Sequence, residues 1–309
     1  MKVIPSFFIS YIVFASLLVL SCNQKTDLSY LESGGEQFNE TITSPKDTVY
    51  FGFITRYNPR VMYEEYQPIM DYLSAKTPYH FELRLGKTYQ DAVEHLKDGR
   101  VQISSFGAVT YVEASSVFDA IPILKPLNEE GSAYYRSLII VKEDSDIQDI
   151  SDLSGRSFAF ASRLSTSGNI IPRGILNNES ICLNKMSKFA NLKHHDTVVK
   201  EVLSGNYDAG AVKDIIGMRN LEKGIKIIFA SDPIPSVPIV VKSNLSKNLL
   251  STIKDAFLSL EFSDSTGKAN VQDWSSEFKY GFVEASPADY ATIKKMMGAK
   301  SETCASFCH

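Results

Sequence analysis

The chain has 309 residues, of which 44% are hydrophobic and 22% are charged, and its formal net charge is −4. A chain of this length can bury the core of two modest lobes or of one large domain. The weak negative charge provides no basic field for a polyanion, so we expect no nucleic-acid partner.

The start of the chain, residues 1–22, has the pattern of an export signal. Lys2 precedes an apolar run over residues 7–20, which is short for a membrane span and has the length of a signal peptide. The run closes on Ser21-Cys22, and a small residue followed by Cys resembles the bacterial lipobox. This resemblance implies cleavage before Cys22 and a lipid anchor on that cysteine. A plain anchor helix with an incidental cysteine is the alternative.

The segments on either side of the predicted fold carry no hydrophobic periodicity. Residues 23–47 are polar, which predicts a flexible tether between the membrane and the folded part. Residues 301–309 form a tail that contains Cys304, Cys308 and His309 and resembles a haem-attachment motif with one residue too many. A disulfide, an opportunistic metal tail and a disordered terminus remain the alternatives, and we assign no cofactor there.

From residue 48 onward, predicted strands and helices alternate along the chain. The first set comprises strands at 49–54, 80–85, 101–105 and 136–142, with helices around Tyr66, after Thr88 and after Phe106-Gly107. The second set has strands at 158–161, 207–212, 225–230 and 237–242, and helices at 149–153, 196–203, 246–260 and 286–297. This alternation predicts parallel sheets flanked by helices. The apolar strands 138–141 and 239–241 are candidates for two crossings between lobes.

Residues 157–176 predict a strand, a tight turn and a helix. The turn is Ser165-Thr166-Ser167-Gly168, which we call the hydroxyl turn. A helix start leaves backbone N–H groups unpaired and carries partial positive charge, so it favours an anion. Rotatable hydroxyls add donors, and Gly168 would let a ligand approach the backbone closely. A helix cap with a purely structural role is the alternative.

Together these segments resemble the phosphate/phosphite/phosphonate solute-binding family, the periplasmic receptors of ABC importers. The matching motifs lie at residues 51–53, 103–107, 152–156, 165–168 with Pro172, 193–196, 202–210 and 233–240. The resemblance implies an α/β, two-lobed periplasmic-binding-protein-like fold of type II. Each lobe would be a mainly parallel sheet flanked by helices, with the ligand in the cleft between them. Residues 48–142 plus 242–300 would form lobe 1, and residues 143–241 lobe 2.

The family resemblance assigns the anion-binding residues of the second lobe. In that family the hydroxyl turn holds the phosphoryl oxygens and a histidine donates to them, which implies roles for Ser165, Thr166, Ser167 and His195. His194 competes for the last role, since only one of two adjacent side chains can face the cleft. Short neutral donors at a helix start bind an oxyanion with little reorganisation, which agrees with this assignment.

The first lobe contributes aromatic candidates by the same resemblance. Tyr89 lies at the start of the helix after the second strand, where its hydroxyl could donate to the anion; a core position is the alternative. A second family tyrosine corresponds to Phe106, which keeps the aromatic wall without the hydroxyl. Arg56 and Tyr57, in the loop after the first strand, would lie at the cleft mouth, where Arg56 could clamp an anion bidentately.

Two further positions concern the organic end of the ligand. Family members that bind aminoalkylphosphonates place carboxylates near the ligand's ammonium group. The first of these positions corresponds to Asp214, with Lys213 competing, and the second to Val237, which cannot pair with a cation. An ammonium left unpaired beside Val237 would cost about 1 kcal/mol or more. The sequence therefore favours a small oxyanion such as phosphate, phosphite or methylphosphonate.

The resemblance implies a binding function without chemistry. We expect a monomeric, lipid-anchored extracytoplasmic solute-binding protein of an ABC importer, with permease subunits as partners. A sensory binding protein that signals to a membrane histidine kinase uses the same cleft and is the alternative. An enzyme is disfavoured, because the sequence has no nucleophile with a base constellation and no metal-ligand spacing such as His-Glu-x-x-His.

Overall fold

The computed structural model describes residues 47–260 and 265–298. The predicted signal with Cys22, the tether as far as residue 46 and the tail 301–309 lie outside these residues. Among the described residues, no helix combines the length and the apolar character that crossing a bilayer requires.

The described strands and helices follow the alternation that the sequence predicts. The strands are β1 Thr48–Phe53, β2 His80–Leu85, β3 Ile103–Ser105, β4 Ala120–Pro126, β5 Tyr134–Tyr135, β6 Ser137–Lys142, β7 Ser157–Phe160, β8 Lys188–Asn191, β9 Ala209–Lys213, β10 Ile225–Ala230, β11 Ile234–Pro235, β12 Ile239–Lys242 and β13 Phe282–Glu284. The helices are α1 Pro59–Lys76, α2 Tyr89–Lys97, α3 Ala108–Val117, α4 Ile171–Asn178, α5 His195–Leu203, α6 Asp214–Met218, α7 Lys247–Leu258, α8 Ser265–Val271 and α9 Ala291–Gly298. A π-helical turn, Thr166–Ile170, precedes α4.

Two sheets define two lobes, which confirms the two-lobed α/β fold. The six-stranded sheet of the first lobe has the order β13-β4-β12-β3-β1-β2, and the five-stranded sheet of the second has the order β10-β6-β9-β7-β8. Both sheets are mixed rather than mainly parallel. β1 pairs with β2 and β3, and β7 with β8 and β9, in parallel, whereas β4, β6, β10, β12 and β13 pair only antiparallel. Strands that return from the other lobe run against the direction of their neighbours.

The chain crosses between the lobes through two adjacent segments. β6 belongs to the second sheet and β12 to the first, so the sheets separate within residues 127–136 and 231–238. The predicted limits at 142 and 241 therefore lie one strand later than these crossings. The short strands β5 and β11 pair antiparallel inside the crossings, where Ile234 faces Tyr135. This pairing ties the two connections together beneath the cleft.

Local sequence signals position the elements around the cleft. The Thr88 hydroxyl accepts a hydrogen bond from Asp91 N at 3.1 Å, and the Asp91 carboxylate accepts one from Thr88 N at 3.0 Å. This reciprocal capping box fixes the start of α2 and makes Tyr89 its first residue. At α1, Asn58 accepts from Val61 N at 3.3 Å and Pro59 occupies the first position, where its missing N–H is no loss.

The start of α5 joins the two lobes. His195 N donates to Arg56 O at 3.1 Å, and His194 Nδ1 donates to Thr55 O at 2.8 Å. Asn58 Nδ2 donates to the Asp196 carboxylate at 3.1 Å. Three successive residues of the second lobe thus bond to the loop that follows β1, and the cleft is closed on this side.

Candidate functional site

The hydroxyl turn forms the start of the π-helical turn that leads into α4. Ser165 is its N-cap, and the Ser165 hydroxyl accepts a hydrogen bond from Gly168 N at 3.0 Å. Ser165, Thr166 and Ser167 are buried, with exposures of 2–3%. Three hydroxyls are therefore held on a wide helical turn inside the protein, a geometry that is enriched at functional sites.

Gly168 has a packing role that differs from the sequence expectation. A Cβ placed on Gly168 would lie 2.4 Å from Ala161 Cβ, 2.8 Å from His195 Cε1 and 2.9 Å from Ser165 Oγ. The space beside its backbone is thus occupied by the imidazole and hydroxyl of the site itself. The glycine lets His195 approach the turn, rather than leaving room for a ligand at that point.

His195 faces the hydroxyl turn, whereas His194 points to the first lobe. The His195 ring is buried, and its Nδ1 accepts a hydrogen bond from Lys213 N at 3.3 Å, which assigns the ring proton to Nε2. Nε2 lies 3.2 Å from Ser165 Oγ. Burial, followed by the charges of Arg56 and Lys213, lowers the pKa of His195 to about 3, so the imidazole is a neutral donor.

Thr166 connects the hydroxyl turn to the first lobe. Its hydroxyl accepts a hydrogen bond from Val109 N, in the first turn of α3, at 3.0 Å. Gly107, the N-cap of α3, lies so close that a Cβ there would be 3.3 Å from Thr166 Oγ1. The starts of two helices, one from each lobe, therefore face each other across the site and both favour negative charge.

Two tyrosines complete the ring of neutral donors. Tyr89 is buried, and burial raises its pKa to about 12 despite the nearby charge of Arg56 and a hydrogen bond with Ser165. Tyr135, in the interlobe strand β5, is buried as well. Burial raises the pKa of Tyr135, and hydrogen bonds with Thr166 and Ser167 oppose this shift. Both phenols remain protonated and can donate.

Arg56, Lys213 and Glu277 form a charged cluster beside these donors. The Arg56 guanidinium lies 3.1 Å from Glu277 and donates to Tyr66 Oη at 3.2 Å, and the Lys213 ammonium contacts the other oxygen of Glu277. All three side chains are at least nine-tenths buried. Burial and then the Arg56 charge lower the pKa of Lys213 to about 7, and the nearby Asp214 carboxylate opposes this shift. With Lys213 protonated, the cluster carries one net positive charge.

The donors and part of the charged cluster enclose a cavity of about 10 Å³, which we call the small cavity. Ile54, Gly107 and Val237 complete its lining. This volume accommodates about one water-sized sphere, so a tetrahedral oxyanion fits only after the lining side chains or the lobes move apart. Beside it lies a cavity of about 910 Å³, the large cavity, which is open to solvent.

The predicted ligand-binding residues fall into two groups. Ser165, Thr166, Ser167, His195 and Tyr89 all line the small cavity, and so does Val237.

Phe106 and Asp214 do not line the small cavity. Phe106 is fully buried in the core cluster that contains Tyr89 and Ile54, because its backbone pairs with Pro238 and turns the ring inward. Asp214 accepts hydrogen bonds from Arg136 N at 2.7 Å and Ile215 N at 2.8 Å, and it faces the large cavity. The competing candidate, Lys213, takes the place beside the donors.

Three contributors to the site were missed or understated by sequence reasoning. Tyr135 lies two residues before the apolar strand β6, and its closeness to the predicted crossing at residues 138–141 was a signal that could have found it. Arg56 was expected at the cleft mouth and is instead buried in the charged cluster. Glu277 lies in the irregular segment before β13, where no motif marks it. Within residues 47–260 and 265–298, no group of three His, Cys, Asp or Glu side chains could hold a metal ion.

Comparison with known proteins identifies the family of this chain. Residues 51–290 match the family described as ABC transporter, phosphonate, periplasmic substrate-binding protein. The chain belongs to this family. It is therefore an extracytoplasmic solute-binding protein of an ABC transporter and a transport component rather than an enzyme.

Similar proteins include two curated relatives. The chain is 24% identical to the phosphate-import protein PhnD of Mycolicibacterium smegmatis over 298 residues, which cover 87% of this chain and 89% of the relative. It is 23% identical to the phosphonates-binding periplasmic protein of Escherichia coli over 220 residues, covering 67% of this chain and 64% of the relative.

Solved structures with the same fold include two binding proteins. The binding protein component of an ABC phosphonate transporter from Pseudomonas aeruginosa has a TM-score of 0.74 at 18% identity, covering 84% of this chain and 93% of that one. PhnD1 from Prochlorococcus marinus, solved in complex with methylphosphonate, has a TM-score of 0.72 at 20% identity, covering 81% and 97%. These likenesses concern the fold and confirm the two-lobed periplasmic-binding architecture.

Proposed function

We propose that this protein captures phosphate, phosphite or a small phosphonate such as methylphosphonate and delivers it to an ABC permease. The observation that carries the proposal is the small cavity, which gathers six neutral donors at the facing starts of two helices. The donors are the side chains of Ser165, Thr166, Ser167, His195, Tyr89 and Tyr135. Hydrogen bonds to a charged acceptor are about twice as strong as neutral ones, so such a ring favours an oxyanion.

The size and charge of the site support a small ligand. The side chains that line the small cavity are buried, and Val237 contributes an apolar wall. With Lys213 protonated, the charged cluster adds one net positive charge at the cavity edge, which complements a singly or doubly charged oxyanion. Because donors come from both lobes, a bound anion stabilises the closed arrangement through contacts that the open arrangement lacks.

The first test is a thermal-shift and calorimetric screen of the mature domain. The panel contains phosphate, phosphite, methylphosphonate, 2-aminoethylphosphonate, arsenate and sulfate. A ligand at 100 times its Kd stabilises the folded state by about 2.7 kcal/mol, which a melting curve resolves. We expect at least one of the first three to bind most tightly. The absence of a shift with every phosphorus oxyanion contradicts the proposal, and tightest binding of arsenate or sulfate reassigns the ligand.

We further propose that the mature protein is monomeric and tethered through a lipid on Cys22. The tether follows from the apolar run at residues 7–20 and the Ser21-Cys22 junction, which lie outside the described residues. In a bacterial host fed a labelled fatty acid, the full chain should carry the label and sediment with membranes, and Cys22→Ser should lose both properties. A Cys22→Ser protein that still carries the label excludes this anchor. Size-exclusion chromatography of the domain tests the monomer.

A further inference from the structure

Lys213 and Tyr135 lie between the small cavity and the large one, and Lys213 is held there by its ion pair with Glu277. Lys213 and Tyr135 line both cavities, Glu277 lines the large cavity, and Arg56 lines the small one. The Lys213 side chain lies at the end of β9 in the second lobe, and Glu277 precedes β13 in the first. Because the two residues come from different lobes, their contact forms when the lobes are closed, and it then holds Lys213 between the two cavities as a partition.

The partition places a resident cation in front of a buried carboxylate. Both side chains are at least nine-tenths buried, and the second Glu277 oxygen is taken by Arg56 at 3.1 Å. The Lys213 ammonium also lies 4.2 Å from the centroid of the Tyr135 ring, a cation–π distance. A carboxylate at this depth is stable only when it is paired, and Lys213 provides one of its two partners.

On the basis of the proposed function, we propose that Lys213 determines both the length and the charge of the ligand that this site accepts. Its ammonium occupies the place beside Glu277 where the ammonium of an aminoalkylphosphonate would otherwise bind. Its aliphatic stem closes the small cavity toward the large one, where an alkyl substituent would extend. The accepted class is an oxyanion with at most a very small, uncharged substituent.

The test compares ligands of matched shape on variants of the mature domain. Propylphosphonate and 2-aminoethylphosphonate have the same number of heavy atoms and differ by the terminal charge, and methylphosphonate serves as the reference. Affinities are measured by calorimetry for the wild type, Lys213→Ala, Lys213→Met and the double variant Lys213→Ala with Glu277→Gln. Lys254→Ala, which removes a lysine from the surface pair with Glu284, is the control.

We expect the wild type to bind both longer ligands at least 100-fold more weakly than methylphosphonate. Lys213→Ala joins the cavities and should raise the affinity of each longer ligand, relative to that of methylphosphonate, at least tenfold; these two relative affinities are the ratios compared below. For 2-aminoethylphosphonate we expect a further tenfold gain, because its ammonium then pairs with Glu277. Lys213→Met keeps the steric partition and should still exclude propylphosphonate. The double variant should lose the extra gain of the ammonium ligand, and Lys254→Ala should keep the wild-type ratios.

The outcomes separate this inference from the proposed function. If the wild type binds none of the phosphorus ligands, the proposed function fails and the inference fails with it. If the wild type binds methylphosphonate and Lys213→Ala leaves both ratios unchanged, the inference alone is wrong. A wild type that binds 2-aminoethylphosphonate as tightly as methylphosphonate also overturns it, and this result needs no variant to fold. Melting curves verify the fold of each variant.

Discussion

The two sides of the small cavity favour an anion in different ways, one through neutral hydrogen-bond donors and the other through buried charges. One side offers the hydroxyl turn and His195, which are neutral and come from the second lobe. The other side is the charged cluster, assembled from Arg56 and Glu277 of the first lobe and Lys213 of the second. Neutral donors lose little hydration when buried and match the tetrahedral arrangement of oxygens, whereas buried charges lose much and must be balanced.

The two sides of the small cavity therefore differ in what holds their side chains in place. On the neutral side, backbone N–H groups fix the donors in place. Gly168 N donates to the Ser165 hydroxyl, and Lys213 N donates to His195 Nδ1 and so fixes the tautomer of that ring. The charged side depends on one carboxylate, because Glu277 is paired with both cations. We therefore expect substitutions on the neutral side to act mainly on binding, and loss of Glu277 to act first on stability.

The largest effect should follow Glu277→Gln. This change leaves the Arg56 and Lys213 charges buried without their carboxylate, and breaking a buried ion pair costs about 3–5 kcal/mol. Urea unfolding monitored by circular dichroism measures the free energy of unfolding.

The matched control is Glu284→Gln. Glu284 pairs with Lys254 at 2.6 Å with its side chain 67% exposed, and a surface pair contributes about 0–1 kcal/mol. Equal losses for Glu277→Gln and Glu284→Gln would show that the cluster does not depend on its carboxylate.

The next effect concerns binding on the neutral side. Ser165→Ala removes one donor to a charged ligand, worth about 1.5–3 kcal/mol, so affinity for the tightest-binding oxyanion of the panel should fall about 10- to 150-fold. Calorimetry measures this change. Ser246→Ala removes the same kind of helix cap, on α7, where Ser246 accepts from Leu249 N at 3.3 Å. Both variants should lose about 1 kcal/mol of stability from the lost cap, and only Ser165→Ala should weaken binding.

Gly168→Ala tests how tightly His195 is packed against the hydroxyl turn. The added Cβ would come within 3 Å of Ala161, His195 and Ser165, and overpacking of this kind costs about 1–3 kcal/mol. Gly174→Ala, in α4, meets nothing within 4 Å and should instead stabilise by about 0.5–1 kcal/mol. Thermal unfolding of the two variants measures both changes. A stable Gly168→Ala protein would mean that the imidazole can move away freely.

The last effect is the pH dependence that His195 contributes. The pKa of His195 is about 3 in the folded protein, whereas an ordinary histidine has a pKa of about 6.5. Between these two pH values the unfolded chain binds a proton at His195 that the folded protein does not bind. Stability must therefore fall on acidification through this window, by at most about 1.4 kcal/mol per pH unit. His195→Gln should flatten the curve between pH 6 and pH 4. His80→Gln, which alters an exposed side chain of β2, should follow the wild type.

Much of the fold is encoded in local patterns. The apolar periodicity predicted a helix around Tyr66, the cap at Thr88 predicted the start of α2, and the strand–turn–helix unit was predicted close to its observed bounds. The strands β4, β8 and β13 were missed. β4 contains Pro122 and Pro126, which argue against a strand, and β8 is a short, partly exposed edge strand without alternation. Strand direction also escaped prediction, because it depends on which lobe a returning strand joins.

The sequence by itself determined the neutral side of the site. The hydroxyl turn is contiguous and a helix start supplies its partial charge, so local chemistry was sufficient there. The family motif at the start of α5 implied His195 with His194 as a competitor, and the structure separated the two. Only the tertiary structure decided the charged cluster. Lys213 and Glu277 are 64 residues apart and Arg56 is more distant still, and no motif links them. Their pairing arises when the closed lobes remove water from three separate segments at once, and a buried cation must then find a carboxylate.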